Sequence, residues 1–183
     1  HFGHIELARP VYHYQFIDII LKLLKCVCFR CSKLLINKNS PIIDNIIKQD
    51  KKVRWDELKN MASKINRCGQ ETEDGCGCKQ PDRYKLEGIT GIYAIWKDFD
   101  SEGGKKQHLT AEYVKNIFER ISDIDCNLLG FSTSWCRPEW LICTALPIPP
   151  PAVRPSVKQF NNQRSEDDIT HKMIDIIKTN NHL

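Results

Sequence analysis

The stretch Phe16-Ile-Asp-Ile-Ile-Leu-Lys-Leu-Leu-Lys-Cys-Val-Cys28-Phe-Arg-Cys31 decides how this chain is read. Phe16, Ile19, Ile20, Leu23, Leu24 and Val27 recur at the i, i+3, i+4, i+7, i+8 spacing of one helix face, so the segment is expected to be an amphipathic helix packed on a core. Asp18, Lys22 and Lys25 interrupt it, which excludes a bilayer span of roughly 20 apolar residues. The helix runs into Cys28-x-x-Cys31, which places two thiols on one tight turn, the usual half of a tetrahedral zinc site.

Working outward, Ser40-Pro41 is a cap residue followed by proline at the first helical position. It predicts a second helix with Ile42, Ile43, Ile46 and Ile47 on its apolar face. A third is expected over 54–65, with Trp55, Leu58, Ala62 and Ile65 on one side. Residues 70–80 read as a polar loop without a core face. Tyr84 to Trp96 is aromatic and β-branched, with Gly88 and Gly91, and predicts a hairpin or bulged strand. Asp98 to Gln107 reads as a charged loop. Thr110 opens a helix with face Val114, Ile117, Phe118 and Ile121, and Ser122 with Asp125 predicts a short helix stopping at Gly130. Trp140 to Leu146 is expected to be a buried strand. Pro147, Pro149, Pro150, Pro151 and Pro155 impose an extended, polyproline-like segment. Ser165 is expected to cap a last helix carrying Ile169, Met173, Ile176 and Ile177. The fold class is therefore α+β, mostly helical, with short strands.

The 183 residues suit one domain or two small ones, and 41% hydrophobic with 27% charged residues excludes a disordered or fibrous chain. A formal net charge of only +4 permits nucleic-acid contact without requiring it. The chain opens on His1-Phe-Gly-His4, with no basic region or apolar signal core, and is expected to be an internal slice of a longer polypeptide. Without a secretory signal, the nine cysteines point to metal binding in a reducing compartment ahead of disulfides. Two of Cys68, Cys76 and Cys78 are the natural completion of the Cys28/Cys31 half-site. Zinc there would staple a loop with too little apolar surface to order itself. Cys126, Cys136 and Cys143, in apolar contexts, read as core thiols. His1 and His4 are candidates for one ligand of a second zinc site.

Several motifs resemble one family in order along the whole chain. His1-Phe-Gly-His4-Ile-Glu-Leu-Ala-Arg-Pro10, Cys28-Phe-Arg-Cys31-Ser-Lys-Leu-Leu35, Arg137-Pro-Glu-Trp-Leu141, Leu146-Pro-Ile-Pro-Pro-Pro-Ala-Val-Arg-Pro-Ser156 and Glu166-Asp-Asp-Ile-Thr170 look like the N-terminal clamp region of the largest subunit of RNA polymerase II, of eukaryotic or large-DNA-virus type. The resemblance implies a partial clamp domain over 1–183. It would comprise a zinc-bearing clamp head at 28–81, a strand and helix part at 84–146, an extended Pro-rich segment at 147–165, and at 166–183 the start of a helix leading to a coiled coil.

The same resemblance implies two structural Zn2+ sites. One would use Cys28, Cys31, Cys68 and Cys76, because Cys76-Gly-Cys78-Lys-Gln-Pro81 is similar to the family's Cys-Gly-x-x-Gln-Pro and leaves Cys78 spare. The other would use His1 with three cysteines preceding this sequence. The family's Asn-Ala-Asp-Phe-Asp-Gly-Asp magnesium motif is absent, and Asp98-Phe-Asp100 lacks its context, so no catalytic residue and no Mg2+ are expected here. Implied partners are the other polymerase subunits, above all the second-largest, the DNA template and RNA–DNA hybrid, and transcription factors, with no membrane. The implied location is the nucleus, or a viral factory or virion for a viral source. Lys51, Lys52 and Arg54, in a stretch with seven Lys or Arg against three Asp or Glu between Lys48 and Arg67, are candidates for phosphate contact. Arg137 and Arg154 are expected to be structural. Beside the clamp stand two other readings, an independent zinc module that binds nucleic acid or protein, and a stand-alone thiol enzyme.

Overall fold

A computed structural model describes residues 1–89, 91–97, 104–158 and 164–183, with the side chains of Lys51 and Lys52 also outside the described set. It is α+β, as the sequence predicts, and resolves into two compact units. One joins residues 1–11 to residues 143–183, and the other spans 12–142.

In the larger unit, helix α1 (Ile17–Cys26) buries Ile20, Leu23 and Leu24 completely, the face that the spacing predicts. It packs against α3 (Lys51–Ala62), whose Leu58 and Ala62 are buried. Between them in sequence, α2 (Pro41–Ile47) has proline in its first turn after Ser40. Only Ile43 and Ile46 of its four isoleucines are buried, while Ile42 and Ile47 face solvent, because seven residues offer just one narrow face to the core.

A three-stranded antiparallel sheet, β2 (Arg83–Glu87), β3 (Gly91–Trp96) and β4 (Lys105–Leu109), covers the same core in the order β2-β3-β4. Alternation puts Ile92, Ala94 and Trp96 inside. Lys105 to Gln107, expected in a loop, are strand instead: the exposed lysines ride on backbone pairing with β3, and only Leu109 is buried. Helix α4 (Ala111–Glu119) adds Val114, Ile117 and Phe118, and Thr110 Oγ1 caps it by accepting from the Tyr113 N–H at 3.2 Å. Ser122 caps α5 (Asp123–Leu128) in the same way, and its buried Asp125 pairs with Lys38 at 2.5 Å. The chain then turns at Gly130, where φ is +87°.

Arg137 is structural, as expected. Its guanidinium donates to the carboxylates of Glu139 and Asp123 and to the Ile121 carbonyl.

In the smaller unit, β1 (Gly3–Tyr12) pairs with β5 (Ile142–Ile148). The predicted buried strand at 140–146 is corrected here. Trp140 sits exposed in a 3-10 turn, and beyond Ile142 every residue of the strand is exposed or half-buried. The proline segment that follows includes a 3-10 turn at Pro151–Val153. Arg154 braces it by donating to the Pro149 carbonyl and to Thr170 Oγ1.

Val157–Lys158 (β6) and Arg164–Ser165 (β7) form a small antiparallel ladder before α6 (Asp168–His182). Ser165 therefore belongs to a strand, and Asp167 caps α6 by accepting from the Ile169 N–H. None of the apolar residues of α6 is fully buried. Asn180 holds α6 to β1, accepting from the Ala8 N–H and donating to the Glu6 carbonyl. No helix among the described residues is long and apolar enough to cross a membrane.

Candidate metal centre

Two loops of the larger unit form the centre. The first begins where α1 stops: Val27 turns into extended backbone while its N–H still reaches the Leu23 carbonyl. Val27 bridges to Leu34, the Cys28 N–H donates to the Lys33 carbonyl, and the Ser32 N–H donates to the Cys28 carbonyl. This miniature hairpin can close only because Ser32 takes a left-handed φ of +64°. It presents the sulfurs of Cys28 and Cys31 to one side.

The second loop follows α3. A bridge between Arg67 and Lys79 closes its neck, and Cys68 and Cys78 exchange a backbone hydrogen bond from the Cys68 N–H at 3.0 Å. Gly75 is held against Gly69 so closely that a Cβ there would fall 2.2 Å from Gly69 backbone atoms, so no side chain fits. Lys33 clasps the two loops, with its ammonium 2.9 Å from the Asp74 carboxylate and 2.6 Å from the Asp74 carbonyl. That contact holds the Asp74 carboxyl below its ordinary range.

Together the loops bring four sulfurs within 4.8 Å of one another: Cys28, Cys31, Cys68 and Cys76. The Cys28–Cys76 and Cys31–Cys68 pairs are each 3.6 Å apart. A tetrahedron with metal–sulfur arms of about 2.3 Å has edges of about 3.8 Å, so the donor set and spacing fit a four-thiolate metal site. Four thiols this close are too far apart to be disulfides. Burial pushes the Cys28 and Cys68 thiols up. At Cys76, the exposed member, partial burial is outweighed by the Cys78 N–H and by hydrogen bonds from the three other thiols, which lower it.

Cys78 is outside the group of four. Its carbonyl, not its sulfur, serves the loop, by accepting from the Cys68 N–H. Among the other cysteines, Cys26 and Cys126 are buried, and desolvation raises Cys26 to about 12 and Cys126 to about 11. Cys136 and Cys143, expected in the core, are only half-buried. His1 is exposed in the smaller unit and belongs to no metal-donor group among the described residues.

Of the phosphate candidates, Arg54 donates to the Ile47 carbonyl at the end of α2. The side chains of Lys51 and Lys52 lie outside the described residues, as do Asp98, Phe99 and Asp100.

A family model described as RNA polymerase Rpb1, domain 1, matches residues 1–183. The chain belongs to this family. It is 42% identical over 192 residues to the DNA-directed RNA polymerase II subunit RPB1 of Euplotoides octocarinatus, an alignment that takes in 100% of the chain and 40% of that protein. The chain thus spans two fifths of the length of the curated relative it matches. The two loops of the four-cysteine group are also tied together by a residue that the sequence analysis gave no role. Gln80 is that residue. It is only 5% exposed and bonds to Cys28, Phe29 and Cys78; the motif Cys76-Gly-Cys78-Lys-Gln-Pro81 contains it without showing these contacts.

A second feature of the larger unit is an apolar cleft of about 470 Å³ walled by Phe16, Trp55, Phe131, Trp135 and Trp140. Trp135 is 85% exposed.

Proposed function

We propose that the chain forms the clamp of a DNA-directed RNA polymerase, with Cys28, Cys31, Cys68 and Cys76 holding a structural Zn2+ ion. The single observation that carries this reading is the convergence of the four sulfurs in a chain matched end to end by the Rpb1 domain 1 family. When bound, zinc supplies the cross-link that the polar second loop lacks in apolar contacts. The segment 28–81 then acts as a stiff clamp head, 84–146 as its support, 147–165 as an extended strap, and 166–183 as the approach to a coiled coil. In a longer chain, His1 serves a second zinc site together with cysteines that precede this sequence.

The whole enzyme is a nucleotidyltransferase that joins ribonucleotides on a DNA template by Mg2+-assisted phosphoryl transfer, with the catalytic magnesium held outside these residues. The clamp contributes closure: a rigid body that swings over DNA and the RNA–DNA hybrid, docked on the second-largest subunit and open to transcription factors. Its workplace is the nucleus, or a viral factory for a viral source.

Phosphate contact is supported on the sheet. Arg83, Lys85 and Lys106 lie on the face opposite Ile92 and Ala94, beside Tyr93 and the carboxylate of Glu87. Lys106 lies over the Tyr93 ring, 4.1 Å from its centroid. Lys51, Lys52 and Arg54 are secondary candidates, Arg54 already having an internal partner.

Elemental analysis of the purified chain tests the metal, with about one zinc per chain expected and a well-folded metal-free chain overturning the assignment. A fluorescence distance between this domain and the facing wall of the cleft in the intact polymerase tests the clamp. The distance shortens when DNA binds; an unchanged distance rejects closure.

A further inference from the structure

We propose that Gln80 is the positioning residue of the four-cysteine site, locking the Cys28 sulfur by an N–H···S hydrogen bond and tying the first loop to the second. The inference rests on the metal reading above. Gln80 is buried at 5% exposure, and all of its amide is used. Its Oε1 accepts from the Phe29 N–H at 3.2 Å, and its Nε2 donates to the Cys78 carbonyl at 2.9 Å and to Cys28 Sγ at 3.2 Å. The two backbone partners settle the orientation of the amide. An N–H can be met only by the oxygen and a carbonyl only by the NH2 group, so the remaining N–H is aimed at sulfur.

Each bond has a separate consequence. The Phe29 contact holds the backbone between the two cysteines of the first loop. The Cys78 contact fixes the loop segment that carries Cys76. The sulfur contact selects one rotamer of Cys28 and stabilises its thiolate, because a hydrogen bond to an ionised acceptor is stronger than one to a neutral acceptor. The Arg30 N–H also donates to this sulfur, at a longer 3.5 Å. Glutamine is required by both length and chemistry. Asparagine is one methylene short of spanning the two loops. Glutamate keeps the Phe29 contact but points a second oxygen at a thiolate and at a carbonyl, neither of which can donate. Outer-shell groups of this kind orient metal ligands and typically change metal affinity by about 10–100-fold.

The test is a Co2+ titration of the full 183-residue chain against a competing chelator, with Gln80→Leu, Gln80→Glu and, as a control, Cys78→Ser. Cobalt reports each thiolate through its sulfur-to-metal charge-transfer band, which a merely destabilised fold does not shift. Gln80→Leu is expected to bind one Co2+ about 10–100-fold more weakly. Its band should move to lower energy, since a sulfur without a hydrogen bond gives up charge more readily. Gln80→Glu, equal in size and able to keep the Phe29 contact, loses at least as much and supplies the readout if the leucine variant fails to fold. Cys78→Ser leaves affinity and band unchanged. Wild-type affinity and an unmoved band in both Gln80 variants would overturn this role while leaving the metal site standing. A wild-type chain that takes up no Co2+ or Zn2+ overturns both.

Discussion

The sulfur of Cys31 lies 3.6 Å from that of Cys68, across 37 positions of sequence and from the opposite loop. The Cys28 and Cys76 sulfurs meet at the same distance, and with the Lys33–Asp74 clasp and the Gln80 bonds these pairs cross-link the two loops. In the proposed zinc site, replacing one of the four thiols by serine would leave three ligands and free residues 66–80. Cys68→Ser and Cys76→Ser are each expected to abolish tight zinc binding and hydrogen-exchange protection in that loop, while the helical core stays folded. Structural zinc in small modules contributes about 10–16 kcal/mol of apparent binding free energy at neutral pH, so the loop has no comparable substitute. Cys78→Ser is expected to retain the metal. Zinc loss in Cys78→Ser, with retention in Cys76→Ser, would exchange their roles.

Arg137 is the corresponding hub of the helical part. It is 18% exposed, and it joins Glu139, at 12%, to Asp123 and the Ile121 carbonyl. Its removal strands a nearly buried carboxylate and leaves a carbonyl without its charged donor. Arg137→Ala should therefore lower stability by about 2 kcal/mol, the scale of hydrogen bonds to charged groups. Glu139→Gln, which keeps an acceptor, should lose about half as much. Urea unfolding midpoints decide it, and a change in Arg137→Ala below about 0.5 kcal/mol would reduce the cluster to a surface contact.

What could be read from the chain beforehand depended on whether local pattern or tertiary pairing governed each segment. The faces of α1 and α4 were legible because long side chains at three- and four-residue spacing have no other way to be buried together. The cysteine loops were legible as a set, since thiols clustered in polar sequence have few structural uses. The choice between Cys76 and Cys78 rested on resemblance, not spacing. Asp167 displaced Ser165 as a cap because Ser165 is paired to Val157, a contact invisible in a run of eight adjacent polar residues. Lys105 and Lys106 became strand through their partner β3, against their own low β-propensity. Gln80 was hidden for a similar reason: its importance lies in a bond to Cys28 across 52 residues.

Ser32 carries a small built-in cost. It is 1% exposed, its hydroxyl has no hydrogen-bond partner, and its backbone is left-handed, a conformation that costs a residue with a Cβ about 1–2 kcal/mol. Glycine relieves both penalties, offset by about 0.5–1 kcal/mol of extra freedom in the unfolded chain. Ser32→Gly is therefore expected to raise stability by about 0.5–1 kcal/mol with zinc content unchanged. A lowered melting temperature would mean that the serine hydroxyl has a partner in solution.

Glu87 sits between Lys106, at 2.6 Å, and Lys85, at 3.1 Å, and these two ammonium groups lower its carboxyl below the usual 4.5. A carboxyl lowered on folding stabilises the fold above its unfolded value, and that contribution fades as pH falls through the folded one. Carboxyl-carbon NMR should show Glu87 titrating below 4.5 in the native chain, returning toward 4.5 in Lys85→Gln/Lys106→Gln. An unmoved titration in the double variant would remove the lysines as its cause.

The proposed phosphate contact involves the same lysines. Arg83, Lys85 and Lys106 share the outer face of the sheet with Tyr93. Contact with phosphate would release counterions from the nucleic acid, about 0.9 per neutralised phosphate on duplex DNA. If all three meet phosphate, replacing them by glutamine should weaken duplex binding with little dependence on sequence. It should also flatten the slope of log affinity against log salt by about 2–3. Glu87→Gln should act in the opposite sense, because it frees Lys85 and Lys106 from their internal partner. An Arg54→Gln variant separates the two surfaces: since Arg54 is already spent on the Ile47 carbonyl, its loss should alter stability more than the salt slope. A slope unchanged by the triple substitution but reduced by Arg54→Gln would move the phosphate contact from the sheet to α3.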